Sequence, residues 1–201
     1  MQRKVSNTKE ELEKLKPIIV GIAGGSGSGK STYCEIIVKE LKDYQVAVVS
    51  TDDFYKKDLP KMISPVSNME YDDFNHPDAL DYNKLMVHIN NLLSTDNHPE
   101  VVILEGIFTL YFEELRKMLD LKIFVDLDSD ERMYRRIRRN MKNWGAGFDE
   151  VATYYLDAAK HREIEFVLRT KNFADIVING NHLEGISKNI ICCWISSMIK
   201  K

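Results

Sequence analysis

The residues from Gly24 to Thr32 combine a cluster of glycines with one lysine and several hydroxyl side chains. Glycine inside a helix or strand costs stability, so such a cluster predicts a backbone shape that other residues adopt poorly. The stretch fits G-x-x-x-x-G-K-[ST] at every fixed position, which is typical of a loop whose backbone N–H groups surround phosphate oxygens. The sequence therefore predicts a site for a nucleoside triphosphate, built from Gly24, Gly25, Ser26, Gly27, Ser28, Gly29, Lys30, Ser31 and Thr32.

Three side chains at the end of this loop have separate expected roles. Lys30 is expected to reach the β- and γ-phosphates and the Ser31 hydroxyl to ligate Mg²⁺, while Thr32 would support the α-phosphate. The alternative is a flexible glycine loop with an incidental lysine. A complete motif between an apolar run and a helical pattern disfavours that alternative. The motif alone does not distinguish phosphate transfer from hydrolysis or sensing.

Acidic residues follow two further apolar runs of the sequence. Asp52 and Asp53 come directly after Gln45–Ser50, and Glu105 lies in Val101–Ile107. Open α/β sheets bind ligands at the carboxyl ends of their strands, so these carboxylates are expected near the phosphates. Asp52 is predicted to accept the proton of an attacking hydroxyl, and the predicted metal ligands are Ser31, Glu105 and Asp52. The alternative for the aspartates is a solvated turn.

The elements that must position these residues alternate along the chain. The predicted buried strands are 17–24, 45–50, 101–107, 121–127 and 174–178. Helices are predicted from Lys30, after a capping Asp81, from about Ser129, and from about Asp149 to Leu168. Apolar strands alternating with helices predict an α/β fold with a five-stranded parallel sheet covered on both faces.

Two other segments carry specific expectations. A polar loop is predicted from Asp52 to about Pro77. The last helix is predicted to face the core with Leu183, Ile186, Ile190, Trp194 and Met198.

Length and composition predict one domain, residues 1–201, with a polar N-terminal arm at 1–16. The net charge of −3 gives no general reason to expect nucleic-acid or membrane binding. The three cysteines, Cys34, Cys192 and Cys193, form no disulfide framework or metal-ligand spacing. Together with the absence of a signal peptide or membrane-length apolar run, this predicts a cytoplasmic protein.

Six segments occur in an order that identifies a family resemblance: GGSGSGKST, STDDFY, FNHPDALDY, LEGI, RRIRR and FADIVI. From about Ile18 to about Gly180 the chain resembles the uridine kinase family, within the phosphoribulokinase/uridine kinase group of P-loop kinases. The resemblance implies a nucleoside-monophosphate-kinase-like P-loop fold with an Arg-rich lid at about 129–148. It also implies ATP-dependent, Mg²⁺-dependent phosphorylation of a nucleoside 5′-hydroxyl, most often of uridine or cytidine. Related enzymes are often oligomers, so a homo-oligomer is one expected assembly.

The resemblance also implies roles for individual residues. Asp52 matches the catalytic aspartate, Tyr55 a neighbouring pocket aromatic, and Phe74 an aromatic that packs on the nucleoside. Arg136 matches a lid arginine that touches substrate, and Arg139 one that reaches the phosphates. These arginines lie three residues apart and share a helix face. The alternative for this face is a solvated basic surface.

Four departures from the family pattern concern the acceptor. Asn75 stands where the family has an aspartate that holds the ribose hydroxyls, with Asp72 and Asp73 close enough to substitute for it. Only Ser94–Glu100 occupies the interval of a base-closing hairpin, Ala146 replaces an arginine, and Tyr154 replaces a glutamine. Trp144, Tyr154 and Tyr155 are candidate stacking surfaces, and His98 a candidate pocket residue.

Two other functions stay open. One is a kinase of another small alcohol, such as nicotinamide riboside or pantothenate. The other is a nucleotide-binding module without catalysis.

Overall fold

The computed structural model describes residues 16–95 and 97–199 of the chain. The predicted N-terminal arm lies outside the described residues except for Lys16.

The sequence folds around a five-stranded parallel sheet, as predicted. In chain order the strands are β1 (Ile18–Ala23), β2 (Val46–Ser50), β3 (Lys61–Ile63), β4 (Glu70–Asp72), β5 (Val101–Glu105), β6 (Leu121–Asp126) and β7 (Ile176–Asn179). The sheet order is β2-β5-β1-β6-β7, so β1 is central. The short apolar runs therefore became strands buried between two helical layers.

The helices are α1 (Lys30–Glu40), α2 (Tyr82–Ser94), α3 (Glu113–Met118), α4 (Ser129–Trp144), α5 (Phe148–Tyr154), α6 (Lys160–Arg162) and α7 (Ile186–Ile199). Wider π turns, Tyr155–Ala159 and Glu163–Val167, join α5 and α6 into the helical stretch that the sequence predicted. Short 3₁₀ turns occupy Thr51–Phe54, Pro77–Ala79 and Leu168–Phe173. In the described part of the chain, no helix combines the length and apolar character needed to cross a membrane.

Apolar side chains cover both faces of the sheet. On one face the strands pack against α1 and α7, with Tyr33, Ile37 and Ile195 fully buried. On the other face they pack against α2 and α3, where Leu85 and Leu115 are fully buried. This arrangement confirms the predicted α/β architecture. Because the strands are parallel, all five end at the same edge of the sheet.

Two elements were not predicted: the β3–β4 hairpin and the short helix α3. The expected polar loop contains an antiparallel hairpin of β3 and β4, in which Met62 pairs with Tyr71 and is buried. Its turn includes Asn68 with a positive φ of 58°. The hairpin strands are too short for a clear alternating pattern, and α3 is only six residues long. Such short elements depend on tertiary contacts more than on local sequence.

The predicted core face of α7 was partly wrong. Ile186 and Ile190 are exposed, whereas Ile191, Ile195 and Ile199 are buried against the sheet. Leu183, Trp194 and Met198 pack at the edge of this core. Both sets of residues have helical spacing, so periodicity alone could not select the buried one.

We expect the two neighbouring isoleucines of α7 to differ sharply in their effect on stability. Ile191→Ala should lower the free energy of unfolding by about 2–5 kcal/mol, because it leaves a cavity in a packed core. Ile190, which is 57% exposed, provides the matched control. Ile190→Ala should change the free energy of unfolding by less than about 0.5 kcal/mol. Urea unfolding measures both. Equal effects, or a larger effect at Ile190, would show that α7 packs with the face that the sequence suggested.

Candidate active site

The register of the sheet brings three chain segments together at one edge. Ile22 near the end of β1 and Ser50 at the end of β2 are both paired with Glu105 at the end of β5. The glycine-rich loop follows β1, and the turn containing Asp52 follows β2. Parallel strands end at the same edge, so the predicted phosphate loop, Asp52 and Glu105 become neighbours.

The glycine-rich loop leads directly into helix α1, which begins at Lys30. Gly29 precedes the helix with a φ of 101°, a backbone conformation that other residues adopt at a cost. Lys30 is buried and lines the main cleft of the protein. Thr32 lines a different groove, together with Gly29 of the loop and Gly180. The loop thus has the strand–loop–helix setting in which backbone N–H groups bind phosphates.

Glu105 connects the loop to the second strand. Its carboxylate accepts hydrogen bonds from Ser31 Oγ at 3.3 Å and from Ser50 Oγ at 3.1 Å. Glu105 is buried, and with Ser31 it lines a small groove beside the main cleft. A carboxylate and a hydroxyl at this distance offer the oxygen ligands that Mg²⁺ prefers.

Asp52 lies in the 3₁₀ turn Thr51–Phe54, which backbone hydrogen bonds hold in place. The Asp81 N–H donates to the Phe54 carbonyl and the Lys56 N–H to the Ala79 carbonyl, both at 2.8 Å. Asp52 is exposed and lines the main cleft together with Lys30, whereas its exposed neighbour Asp53 is not part of the cleft lining. The structure therefore brings a carboxylate and the loop lysine to one cavity.

The main cleft has a volume of about 770 Å³, which is large enough for a drug-sized molecule. At one end it is lined by Ser26 and Lys30 of the loop, and elsewhere by aromatic and apolar side chains. In the described part of the chain, Asp52 and Glu150 are the carboxylates of its lining. The cleft thus joins an end lined by the cationic Lys30 to a mainly aromatic end.

Two arginines of α4 extend into this cleft. Arg136 lies over the ring of Tyr154, 5.4 Å from its centre, and its Nε and Nη1 are buried without a hydrogen-bond partner. Arg139 donates from Nη2 to Ser26 Oγ at 3.3 Å. Both side chains therefore face the same cavity as Lys30, as their shared helix face predicted. Whether α4 moves as a lid stays a prediction.

The residues predicted to contact an acceptor lie at the aromatic end. Tyr55 and Phe74 meet edge to face with ring centres 6.1 Å apart. Asn75 is buried, and its Nδ2 donates to Tyr154 Oη at 3.3 Å. Tyr154 Oη in turn donates to the carbonyl of Asp72 at 3.2 Å. Burial raises the pKa of Tyr55 and that of Tyr154, so both hydroxyls remain protonated at neutral pH.

The two aspartates considered as substitutes for Asn75 have other partners. Asp73 is 1% exposed, and its carboxylate accepts from Arg162 Nε at 2.7 Å and from the Asn75 N–H at 3.2 Å. Asp72 forms an exposed ion pair with Lys61 at 2.6 Å. Neither lines the cleft. The polar group offered to an acceptor at this point is thus the neutral amide of Asn75.

The other departures from the family pattern have mixed outcomes. Trp144, Ala146 and Tyr154 all line the cleft, and Trp144 is 69% exposed. Tyr155 instead points into the core and donates to the carbonyl of Ser129. His98 lies outside the cleft, with its ring beside the carbonyl of Pro99. Of the three candidate stacking residues, two are placed where stacking is feasible.

Sequence reasoning missed several residues of this region. Tyr71 of the β3–β4 hairpin lines the cleft and donates to Asp157 Oδ2 at 2.9 Å. Arg132 and Glu163 form a buried ion pair directly behind the phosphate loop. No local pattern marks either one, because Arg132 is one of several arginines in α4 and Glu163 lies 31 positions further along.

Comparison with known proteins identifies relatives over most of the chain. The model of the phosphoribulokinase/uridine kinase family matches residues 19–98 and 93–185. A uridine kinase of Clostridium novyi is 35% identical over 208 aligned positions, covering 93% of this chain and 99% of that protein. A uridine kinase of Lactobacillus helveticus is 34% identical, covering 92% of this chain and 97% of that protein.

Two solved structures illustrate the fold that this chain shares. A possible uridine kinase of Bacillus stearothermophilus superposes with a TM-score of 0.54 at 14% identity, covering 85% of this chain and 92% of that one. Phosphoribulokinase from Rhodobacter sphaeroides superposes with a TM-score of 0.55 at 13% identity, covering 81% of this chain and 69% of that one. At these identities the likeness shows the fold. The sequence match covers the loop, the strand ends and α4, and the chain belongs to the phosphoribulokinase/uridine kinase family.

Proposed function

We propose that this protein transfers the γ-phosphate of ATP to the 5′-hydroxyl of a nucleoside, with uridine or cytidine as the leading acceptors. The observation that carries the proposal is the single cleft lined by both Lys30 of the phosphate loop and the carboxylate of Asp52. The relatives named uridine kinase, which this chain matches over almost their full lengths, support the choice of a pyrimidine nucleoside.

In the proposed reaction the acceptor hydroxyl attacks the γ-phosphorus in line with the leaving oxygen. Asp52 accepts the hydroxyl proton, and the bond from the γ-phosphorus to the bridging oxygen breaks, which releases ADP. Lys30, Arg136 and Arg139 neutralise the charge spread over the transferring group. The acceptor end, with Tyr55, Phe74 and the Asn75 amide, excludes water and orients the hydroxyl.

A magnesium ion fits the residues at the start of α1. Ser31 and Glu105 supply oxygen atoms close together, and the described residues contain no group of three His, Cys, Asp or Glu that could form an all-protein metal site. Mg²⁺ keeps several waters and is commonly held by one or two side chains plus phosphate oxygens. When bound, it would offset negative charge on the phosphates. We propose Ser31, Glu105 and Asp52 as its protein ligands: Ser31 and Glu105 are in contact, and Asp52 lies in the turn that follows the neighbouring strand β2.

Two further properties, the compartment and the assembly, belong to the same proposal. All three cysteines are free, which fits a reducing compartment such as the cytoplasm. The protein is proposed to form a homo-oligomer, because related enzymes are often oligomers.

The alternative of another small-alcohol acceptor is favoured by two observations: the residue at the ribose position is the neutral Asn75, and His98 does not line the cleft.

We expect Asp52→Asn to remove acceptor-dependent ATP consumption while ATP still binds. Losing a general base typically lowers kcat by about 10²–10⁴-fold, whereas the loop and Lys30 remain. The measurement is a panel of nucleosides and related alcohols with Mg-ATP, in which the phosphorylated product is identified by mass.

Asp53→Asn is the matched control, because it makes the same chemical change one residue away from the cleft lining. It should keep wild-type turnover. Wild-type protein that binds ATP but turns over with no member of the panel would contradict kinase activity and favour a non-catalytic nucleotide-binding module.

Tyr154→Phe should raise the KM for the acceptor by about 2–10-fold, the effect of about one lost hydrogen bond. The Tyr154 hydroxyl accepts from Asn75 and donates to the Asp72 carbonyl, so its loss frees the amide at the acceptor end. The dissociation constant for ATP should not change. Tyr155→Phe removes a neighbouring hydroxyl that lies outside the cleft and should leave both constants near wild type. An effect on ATP alone would place Tyr154 at the nucleotide rather than at the acceptor.

Glu105→Gln should raise the Mg²⁺ concentration needed for half-maximal rate by about ten-fold or more, because one anionic metal ligand is lost. Activity should recover partly at high Mg²⁺. Glu113→Gln, which makes the same chemical change in an exposed ion pair with Lys117 on α3, is the control. A lower kcat with an unchanged Mg²⁺ requirement would assign Glu105 another role.

A further inference from the structure

We infer that Arg132 and Glu163, called here the Arg132–Glu163 pair, act as positioning residues that hold the phosphate loop and helix α4 in the geometry that nucleotide binding needs. The inference rests on the proposed function, in that the loop is taken to bind a nucleotide. It adds two residues that touch neither end of the cleft.

Glu163 uses both of its carboxylate oxygens. Oε1 accepts a hydrogen bond from the Ser26 N–H at 2.7 Å, and Oε2 accepts one from Arg132 Nη1 at 2.6 Å. The side chain is 1% exposed, so water does not compete for these oxygens. The Ser26 amide is therefore fixed by the protein itself, as is the Ser28 amide, which donates to the Gly25 carbonyl at 3.1 Å.

Arg132 also has a second hydrogen-bond partner. Besides Glu163, it donates from Nε to the carbonyl of Leu127 at 2.9 Å, just after the end of β6. Its side chain is 3% exposed. The guanidinium is thus fixed between the sheet edge and the π turn Glu163–Val167, and its plane is set by two directional contacts.

Two loop glycines lie directly against Arg132, one against its side chain and one against its backbone. A Cβ on Gly25 would lie 2.4 Å from Arg132 Nη1, and a Cβ on Gly27 would lie 2.5 Å from the Arg132 carbonyl oxygen. Real Cβ atoms do not approach other atoms so closely. These glycines therefore allow the loop to lie directly against the first turn of α4, in addition to any part they have in contacting phosphate.

Arg132 is four residues before Arg136 and seven before Arg139, so the three lie along one face of α4. Fixing Arg132 behind the loop therefore fixes where the next two arginines enter the cleft. Ser26 receives both effects, because Glu163 binds its N–H and Arg139 donates to its hydroxyl at 3.3 Å. Loop and helix are coupled through this one residue.

A buried ion pair is a weak source of stability, since removing two charges from water offsets most of their attraction. Well-packed apolar residues of similar size often stabilise a fold equally well. The property that apolar replacements cannot reproduce is direction: a fixed carboxylate oxygen for Ser26 and a fixed guanidinium beside Gly25. Position, rather than stability, is therefore the expected contribution of the pair.

The decisive variant is the double replacement Arg132→Met with Glu163→Leu, compared with the single replacement Glu163→Gln. Thermal unfolding and the affinity for Mg-ATP, measured by calorimetry without acceptor, are the two readouts. The single replacement leaves Arg132 buried without its counter-charge, so it should lower both the Tm and the affinity. The double replacement should recover most of the Tm, while its affinity for ATP should stay weaker than wild type by about ten-fold or more, because the two fixed contacts are gone.

Glu40→Gln is the matched control, since it makes the same chemical change in an exposed ion pair with Lys188 at the far end of α1. It should change neither readout. A double variant that recovers both the Tm and the ATP affinity would overturn the inference and leave the pair a packing feature.

Arg132→Lys covers the case in which the double variant fails to fold. Lysine keeps the charge opposite Glu163 but lacks the planar fork that also reaches the Leu127 carbonyl, so the fold should survive with weaker ATP binding. Wild-type ATP affinity in this variant would also overturn the inference. Because ATP binding needs no acceptor, a protein that binds ATP but phosphorylates nothing would refute the proposed function while this test still stands.

Discussion

The glycine-rich loop is held between the central strand and α1 by contacts from neighbouring elements, and the rest of the candidate site is placed relative to it. Its start is continuous with β1, the central strand, and its end is the first turn of α1. Glu105 contacts it from the neighbouring strand, and Glu163 contacts it from behind. A loop that is held by contacts from several elements loses little conformational freedom when a ligand binds, and this favours affinity.

The proposed acceptor end of the cleft differs in character from the end formed by the glycine-rich loop. Cationic side chains approach the loop. The proposed acceptor end offers aromatic rings, the neutral amide of Asn75 and the guanidinium of Arg136. The carboxylate of Asp73 is nearby but is used internally, since it is paired with Arg162 and caps the Asn75 N–H. A pocket with this composition would hold a flat, uncharged group by stacking, and its hydrogen bonds would then orient the reactive hydroxyl.

The segment between Phe148 and Phe173 connects these two ends. Tyr154 contacts Asn75 at the acceptor end, Asp157 contacts Tyr71 of the hairpin, and Glu163 contacts the phosphate loop. Two π turns interrupt the helix here, and such turns change which side chains face a given direction. One helical segment thus supplies contacts to three separate parts of the site.

The sequence by itself determined the place of the glycine-rich loop between a strand and a helix, the five buried strands and the carboxylates at the strand ends, because each depends on a local pattern of residue types. Tertiary structure decided which isoleucines of α7 face the core and that Asp73 turns away from the cleft, because both depend on partners distant in sequence. It also decided the pairing of Arg132 with Glu163. A buried charge can be assigned a partner only when the fold places the two together, and no spacing along the chain encodes that contact.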